Sequence, residues 1–170
     1  LTIDSFKNST CILDTNVLLF IALNSRFKDG IIALEKVFSS LNVKVGYLYI
    51  TQKEYQDKVY NQKSITMRNL EKFGYDIASI PNDAFTTNAK ELQCKTSEDF
   101  ERFFEEKHKM PKVVHESLPI CLLDNDSELA NVIEKAQHNQ SKIDVLNGIF
   151  HNCTGHDKRS NALMHDIGLL

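Results

Sequence analysis

The chain contains no tryptophan and, in 170 residues, only 3 prolines, 3 methionines and 6 glycines. It also has no internal repeats, no low-complexity tract and no stretch with the composition of an interdomain linker. The expectation is therefore one domain spanning residues 1–170, and with 42% hydrophobic and 25% charged residues it is large enough for a substantial core. Cysteine is sparse and scattered: Cys11, Cys94, Cys121 and Cys153 lie far apart without a Cys-x-x-Cys pair. They read as reduced, buried thiols of a cytosolic protein, with Cys11 and Cys121 acting as small hydrophobes inside apolar runs. Neither a membrane span nor a signal-like N-terminus is expected, because the apolar run Cys11–Leu23 is short and is interrupted by Asp14 and Asn16. The net charge of -3 argues against a strongly basic nucleic-acid coat.

What is present begins with Cys11-Ile12-Leu13-Asp14-Thr15-Asn16-Val17-Leu18-Leu19-Phe20, an apolar run that meets an aspartate and restarts as an apolar helix. A buried strand excludes an ionised carboxylate, so Asp14 is expected at the strand's carboxyl end, where open α/β sheets place ligands and catalysis. Thr15 and Asn16 are good N-cap residues for the helix that follows, with apolar positions at Val17, Leu18, Ile21 and Ala22. A second helix is predicted from Ile31 to about Leu41. Val43 to Ile50 alternates and is rich in β-branched and aromatic residues, which predicts a strand ending at Thr51 and, by its helical connection, parallel to the first.

Thr51-Gln52-Lys53-Glu54 has the form of a capping box, opening a helix through Tyr55, Val59, Ile65 and Leu70 to about Phe73. Residues 75–80 are open between a short strand and a loop. Helices are predicted over Asp83 to Cys94, and from the Thr96-Ser97-Glu98-Asp99 cap through Phe100 to Lys109, ended by Pro111. Val113 to Leu123 reads as loop or irregular helix because of His115, Glu116 and Pro119. Three further helices are expected: one from Asp124 carrying Leu129, Val132, Ile133 and Ala136, one over about Ser141 to His151, and a last one beginning near His156 or Asp157.

The arrangement apolar-apolar-Asp-Thr-Asn-apolar-Leu near the start of the chain resembles the first motif of PIN-domain nucleases. The resemblance implies a three-layer α/β/α fold with a central mostly parallel sheet, here with an enlarged helical middle region. It also implies that Asp14 binds a divalent metal while Thr15 and Asn16 hold and brace the turn. The family's second acid lies on the helix after the second strand, which makes Glu54 and Asp57 the candidates. Asp57 is preferred, because Glu54 has a local duty as the third residue of the capping box and Asp57 stands at the family's usual offset. The third acid opens a late helix, and Gly155-His156-Asp157-Lys158-Arg159-Ser160-Asn161 resembles that segment. Asp157 would sit at the helix N-terminus, with Ser160 and Asn161 bracing it or contacting substrate.

The family continues into a further strand with a fourth acid, whereas this sequence stops at Leu170, so the domain is expected either to lack that strand or to use three acids. The acidic set implies Mg²⁺ or Mn²⁺ as cofactor. The reaction implied is hydrolysis of RNA phosphodiester bonds by an endoribonuclease, in which the metal activates a water.

As partners, the resemblance implies RNA and leaves open a regulatory or antitoxin-like protein and a homo-oligomer, with no membrane and a cytoplasmic location. Lys53, Lys58, Lys63, Arg68 and Lys72 on the long helix, with Lys158 and Arg159, are candidates for a phosphate track; the alternative is a solvated helix face. Tyr47, Tyr49, Tyr55 and Tyr60 would stack bases if they border the cleft. His151, Cys153, His156, Asp157 and His165 cluster closely enough to suggest zinc, but His151-x-Cys153-x-x-His156 is not a common finger spacing. The alternatives are an inactive PIN-like module that binds RNA or protein, and a haloacid-dehalogenase-type phosphohydrolase. The latter needs an acid two residues after Asp14, where this chain has Asn16.

Overall fold

A computed structural model of the chain describes residues 7–23, 28–109, 120–123, 131, 135 and 138–154. The expected final helix, with Asp157, Ser160 and Asn161, lies outside the described residues, as does most of the helix expected after Asp124.

The opening motif folds as the sequence predicts. A short strand β1 (Thr10–Ile12) leads through Leu13 and Asp14 into helix α1 (Thr15–Ala22), and a second helix α2 (Lys28–Ser40) returns the chain to strand β2 (Lys44–Tyr47). The two strands are parallel, with Thr10 opposite Lys44 and Ile12 opposite Gly46. The long helix α3 (Tyr49–Lys72) follows β2 almost at once, then a 3₁₀ turn (Ile77–Ser79) and helices α4 (Ala84–Glu91) and α5 (Ser97–His108). Strand β3 (Cys121–Leu122) returns beside β2, again parallel, and α6 (Gln140–Thr154) is the last described element. The architecture is mixed α/β, mostly helical, around a three-stranded parallel sheet in the order β1-β2-β3.

Three predicted boundaries are corrected. The second strand stops at Tyr47 instead of running to Ile50, and α3 begins at Tyr49 with Leu48 as its N-cap. Thr51 is therefore inside the helix, and Thr51-x-x-Glu54 is not a capping box. The physical reason is burial: Leu48, 0% exposed, is fixed in the cluster with Leu123 and serves as the extended N-cap residue, so the helix opens directly behind it. The segment read as loop or irregular helix contributes β3, whose two residues are too few to show a period. Residues 77–79 form a 3₁₀ turn, which is neither of the alternatives read for 75–80.

Side chains alternate across the sheet. Cys11, Val45, Tyr47 and Leu122 pack into the main core with Leu18, Ile21, Tyr55, Val59, Phe100 and Phe104, while Ile12 and Cys121 pack with Leu48 and Leu123 in a second, smaller cluster. Apolar contacts thus cover both faces of the sheet. Gly46 sits in the central strand because nothing larger fits: a Cβ there would come within 2.4 Å of the Cys121 carbonyl oxygen and 2.6 Å of Leu123 Cγ.

The α3–α5 contact anchors the helical part. The buried Tyr55 hydroxyl donates to the Lys107 carbonyl at 2.9 Å, and the Lys107 ammonium donates to the Ala22 carbonyl at 2.6 Å, joining α3, α5 and the end of α1. Burial holds the Tyr55 phenol well above its ordinary pKa, so it stays a neutral donor. Phe85 and Phe104 stack at 5.8 Å between α4 and α5. All four cysteines are free thiols, but only partly buried at Cys11, Cys94 and Cys121, and Cys153 is exposed, so the expected full burial is not found. No helix among the described residues is long and apolar enough to cross a membrane.

Candidate functional site

Because β1 and β2 are parallel neighbours, the residues that follow them emerge at the same edge of the sheet. The Leu13 amide donates to the Gly46 carbonyl at 2.8 Å, extending the ladder by one residue and fixing the backbone just before Asp14. Asp14 is the N-cap of α1, and its carboxylate accepts from the Asn16 amide at 3.2 Å. The expectation that Thr15 and Asn16 do the capping is thus shifted by one residue, to the aspartate itself. Its side chain is partly buried, between the core and solvent.

Thr15 faces inward with 0% exposure and reaches α3. Its hydroxyl donates to Glu54 Oε2 at 2.6 Å, a short charge-assisted bond between residues 39 apart in sequence. Freed from any capping box by the early start of α3, Glu54 is thereby held against the Asp14–Thr15–Asn16 turn. Its other oxygen, Oε1, lies 3.3 Å from the Lys58 ammonium. That ammonium also donates to Asn16 Oδ1 at 3.4 Å. Five residues from two elements are therefore gathered here, Asp14, Thr15 and Asn16 at the start of α1 and Glu54 and Lys58 on α3, with Thr15 and Asn16 making the side-chain contacts across to the helix.

Asp57, the preferred second acid from sequence, is on the same helix but exposed. It is Glu54, the other candidate, that the hydrogen bond from Thr15 ties to the turn. Asp157, Ser160 and Asn161 fall outside the described residues. Among the described residues, no three His, Cys, Asp or Glu side chains converge as a metal-binding group.

As a partial donor set for a hard divalent cation, Asp14 and Glu54 are of the right chemistry, since Mg²⁺ takes one or two carboxylates and completes its shell with water and phosphate oxygens. Sequence reasoning did not assign Lys58 to this turn. The available signal was its i,i+4 spacing from Glu54, which puts both on one helix face.

The candidate phosphate track resolves into local pairs. Lys53 lies over the Tyr49 ring at 5.1 Å, Lys63 is 3.8 Å from Glu105, Arg68 Nε donates to the Ser64 carbonyl at 3.1 Å, and Lys72 lies over Phe73 at 5.7 Å. Tyr47 and Tyr55 belong to the core and cannot stack a base, whereas Tyr49 and Tyr60 are exposed.

Of two cavities, one includes Asp14 in its lining and the other shares no residue with the site. One of about 320 Å³, mainly apolar, lies between the sheet and α2, lined by Cys11, Ile12, Val17, Ile31 and Phe38 with Asp14 at its polar rim. A larger groove of about 610 Å³ runs between α3 and α5 along Val59, Tyr60, Lys63, Met67, Phe104 and His108. It contains none of the five side chains around Thr15. The chain matches no known family model, no curated protein and no solved structure, so the geometry around Thr15 stands as the ground for any reading of function.

Proposed function

We propose that this chain is a PIN-like, Mg²⁺- or Mn²⁺-dependent endoribonuclease of the cytoplasm, built as a three-layer α/β/α domain. One observation carries the reading. The acid that ends the first strand is followed directly by a buried threonine whose hydroxyl donates to an acid on the helix after the neighbouring parallel strand, which ties that helix to the turn. This is the arrangement the opening motif leads one to expect, with Glu54 now favoured over Asp57 as the second acid. Apolar packing on both faces of the sheet is consistent with a three-layer domain.

In this reading Asp14 and Glu54 hold the metal, which when bound supplies a water of lowered pKa next to the phosphodiester. Asp157 completes the acidic set. Thr15 acts as a positioning residue: its hydroxyl fixes which Glu54 oxygen is turned inward, so the other is presented outward. The Asn16 side chain, exposed at the first turn of α1, orients a phosphate oxygen beside the metal. RNA is the substrate, and a regulatory protein partner and self-association remain open to direct measurement.

The test is cleavage of an end-labelled RNA in Mn²⁺ by the wild type, Asp14→Asn and Glu54→Gln, with a chelated control. Loss of at least about a hundredfold in rate in both variants and in the chelated wild type is expected, the usual scale for removing one charged partner of a catalytic centre. Equal cleavage by all three proteins overturns the reading. A second reading, an inactive module that binds RNA or protein, is favoured by the Lys58 ammonium already lying on Glu54. It predicts RNA binding without turnover and without any effect of Asp14→Asn.

A further inference from the structure

We infer that Lys58 occupies the outward face of Glu54 that a divalent metal would use and competes with the metal there, so that this lysine sets the metal affinity. The inference rests on the metal-dependent reading above. Its ground is the coordination of one ammonium: Nζ lies 3.3 Å from Glu54 Oε1 and 3.4 Å from Asn16 Oδ1, oxygens from two different elements. Thr15 takes the remaining Glu54 oxygen, so the carboxylate's outward face is turned to Lys58. The glutamate precedes the lysine by four residues on α3, the orientation in which such pairs are favoured on a helix.

The lysine is also able to leave. Its side chain is 39% exposed and that of Glu54 18%, so the ammonium stands on the solvent side of the pair. A flexible four-carbon stem lets it swing into water without disturbing the core. An ammonium and a divalent ion drawn to the same Glu54 oxygen repel each other at close range, so the ammonium in its present place weakens the hold on the metal. Metal entry and Lys58 release are therefore coupled, and a divalent ion that takes Oε1 does so at the expense of the 3.3 Å contact.

The experiment is titration of Mn²⁺ by calorimetry, with the water-proton relaxation of bound Mn²⁺ as a second readout. The proteins are the wild type, Lys58→Met, Lys58→Arg and, as the blank, Asp14→Asn, each checked for folding by circular dichroism. Lys58→Met should bind Mn²⁺ about tenfold tighter or more, as expected for removing one charge at contact distance in a part-solvated site, while Lys58→Arg stays near wild type. Binding by Lys58→Met alone would support the inference in its extreme form, a site closed by its own lysine. Equal or weaker binding by Lys58→Met than by the wild type overturns the inference and leaves the metal reading standing. No Mn²⁺ binding by any folded protein overturns both.

Discussion

Two buried polar atoms stand out at the scale of single residues. Thr66 on α3 is 0% exposed and Asn88 on α4 is 4% exposed, yet Thr66 Oγ1 and Asn88 Oδ1 find no hydrogen-bond partner among the described residues. A buried hydroxyl without a partner retains its desolvation cost and returns nothing for it. Thr66→Val keeps the shape and removes the polar atom, so it is expected to raise stability by about 1 kcal/mol in chemical denaturation. Thr15 is the opposite case: it is equally buried, but its hydroxyl is satisfied by a carboxylate at 2.6 Å. The two threonines look alike in sequence, and only the position of Glu54 separates a costly hydroxyl from a useful one.

Among elements, three helices end in the same device. After α2, α3 and α4 the chain turns through a left-handed residue, Asn42, Gly74 and Gln93, with φ of 55°, 60° and 63°. In each case the next amide bonds back five residues: Val43 to Phe38 at 2.9 Å, Tyr75 to Leu70 at 2.7 Å, and Cys94 to Ala89 at 3.0 Å. Asparagine and glycine suit that backbone, whereas glutamine at 93 carries a Cβ penalty there. Gln93→Gly is expected to raise stability by about 1 kcal/mol, visible as a higher melting temperature with the α4–α5 packing unchanged.

The helix starts were more legible than these ends. Asp83 and Thr96 cap α4 and α5 much as their sequences predict, because a capping box needs only residues within one turn. The start of α3 was misread for a reason of the same kind: Thr51-x-x-Glu54 carries the local pattern, but Leu48 is drawn into the core and starts the helix earlier. Local signals are readable when local forces decide. Burial of Leu48 against Leu123 is a tertiary matter.

Over the whole molecule, the sheet is small and its middle strand is crowded. The parallel pairing of β1 and β2 followed from the helical connection between two apolar runs, and it is found. β3 was not legible, since two residues carry no period and its pairing partner lies 75 positions earlier in the register Gly46↔Cys121. The site shows the same division. Asp14, Thr15 and Asn16 were readable as a motif, but whether Glu54 or Asp57 met them depended on where α3 begins and how it leans on α1.

Gly46→Ala is expected to destabilise the protein by about 3 kcal/mol, the upper range for overpacking, because the added carbon meets the backbone of β3 as well as a side chain. Urea unfolding measures the loss. An alanine variant as stable as the wild type would mean that β3 does not approach as described.

The glycine has a further bearing on descent. Its identity is dictated by a neighbouring backbone, whereas Asp14 and Glu54 are held by hydrogen bonds from the Asn16 amide and the Thr15 hydroxyl. A diverged copy of this gene could exchange Asp14 for another capping residue, or Glu54 together with Thr15, but not the glycine. In chains drifting away from this one, the glycine and the acids thus become two separate clocks, one keeping time for the crowded sheet and the other for the turn beside it.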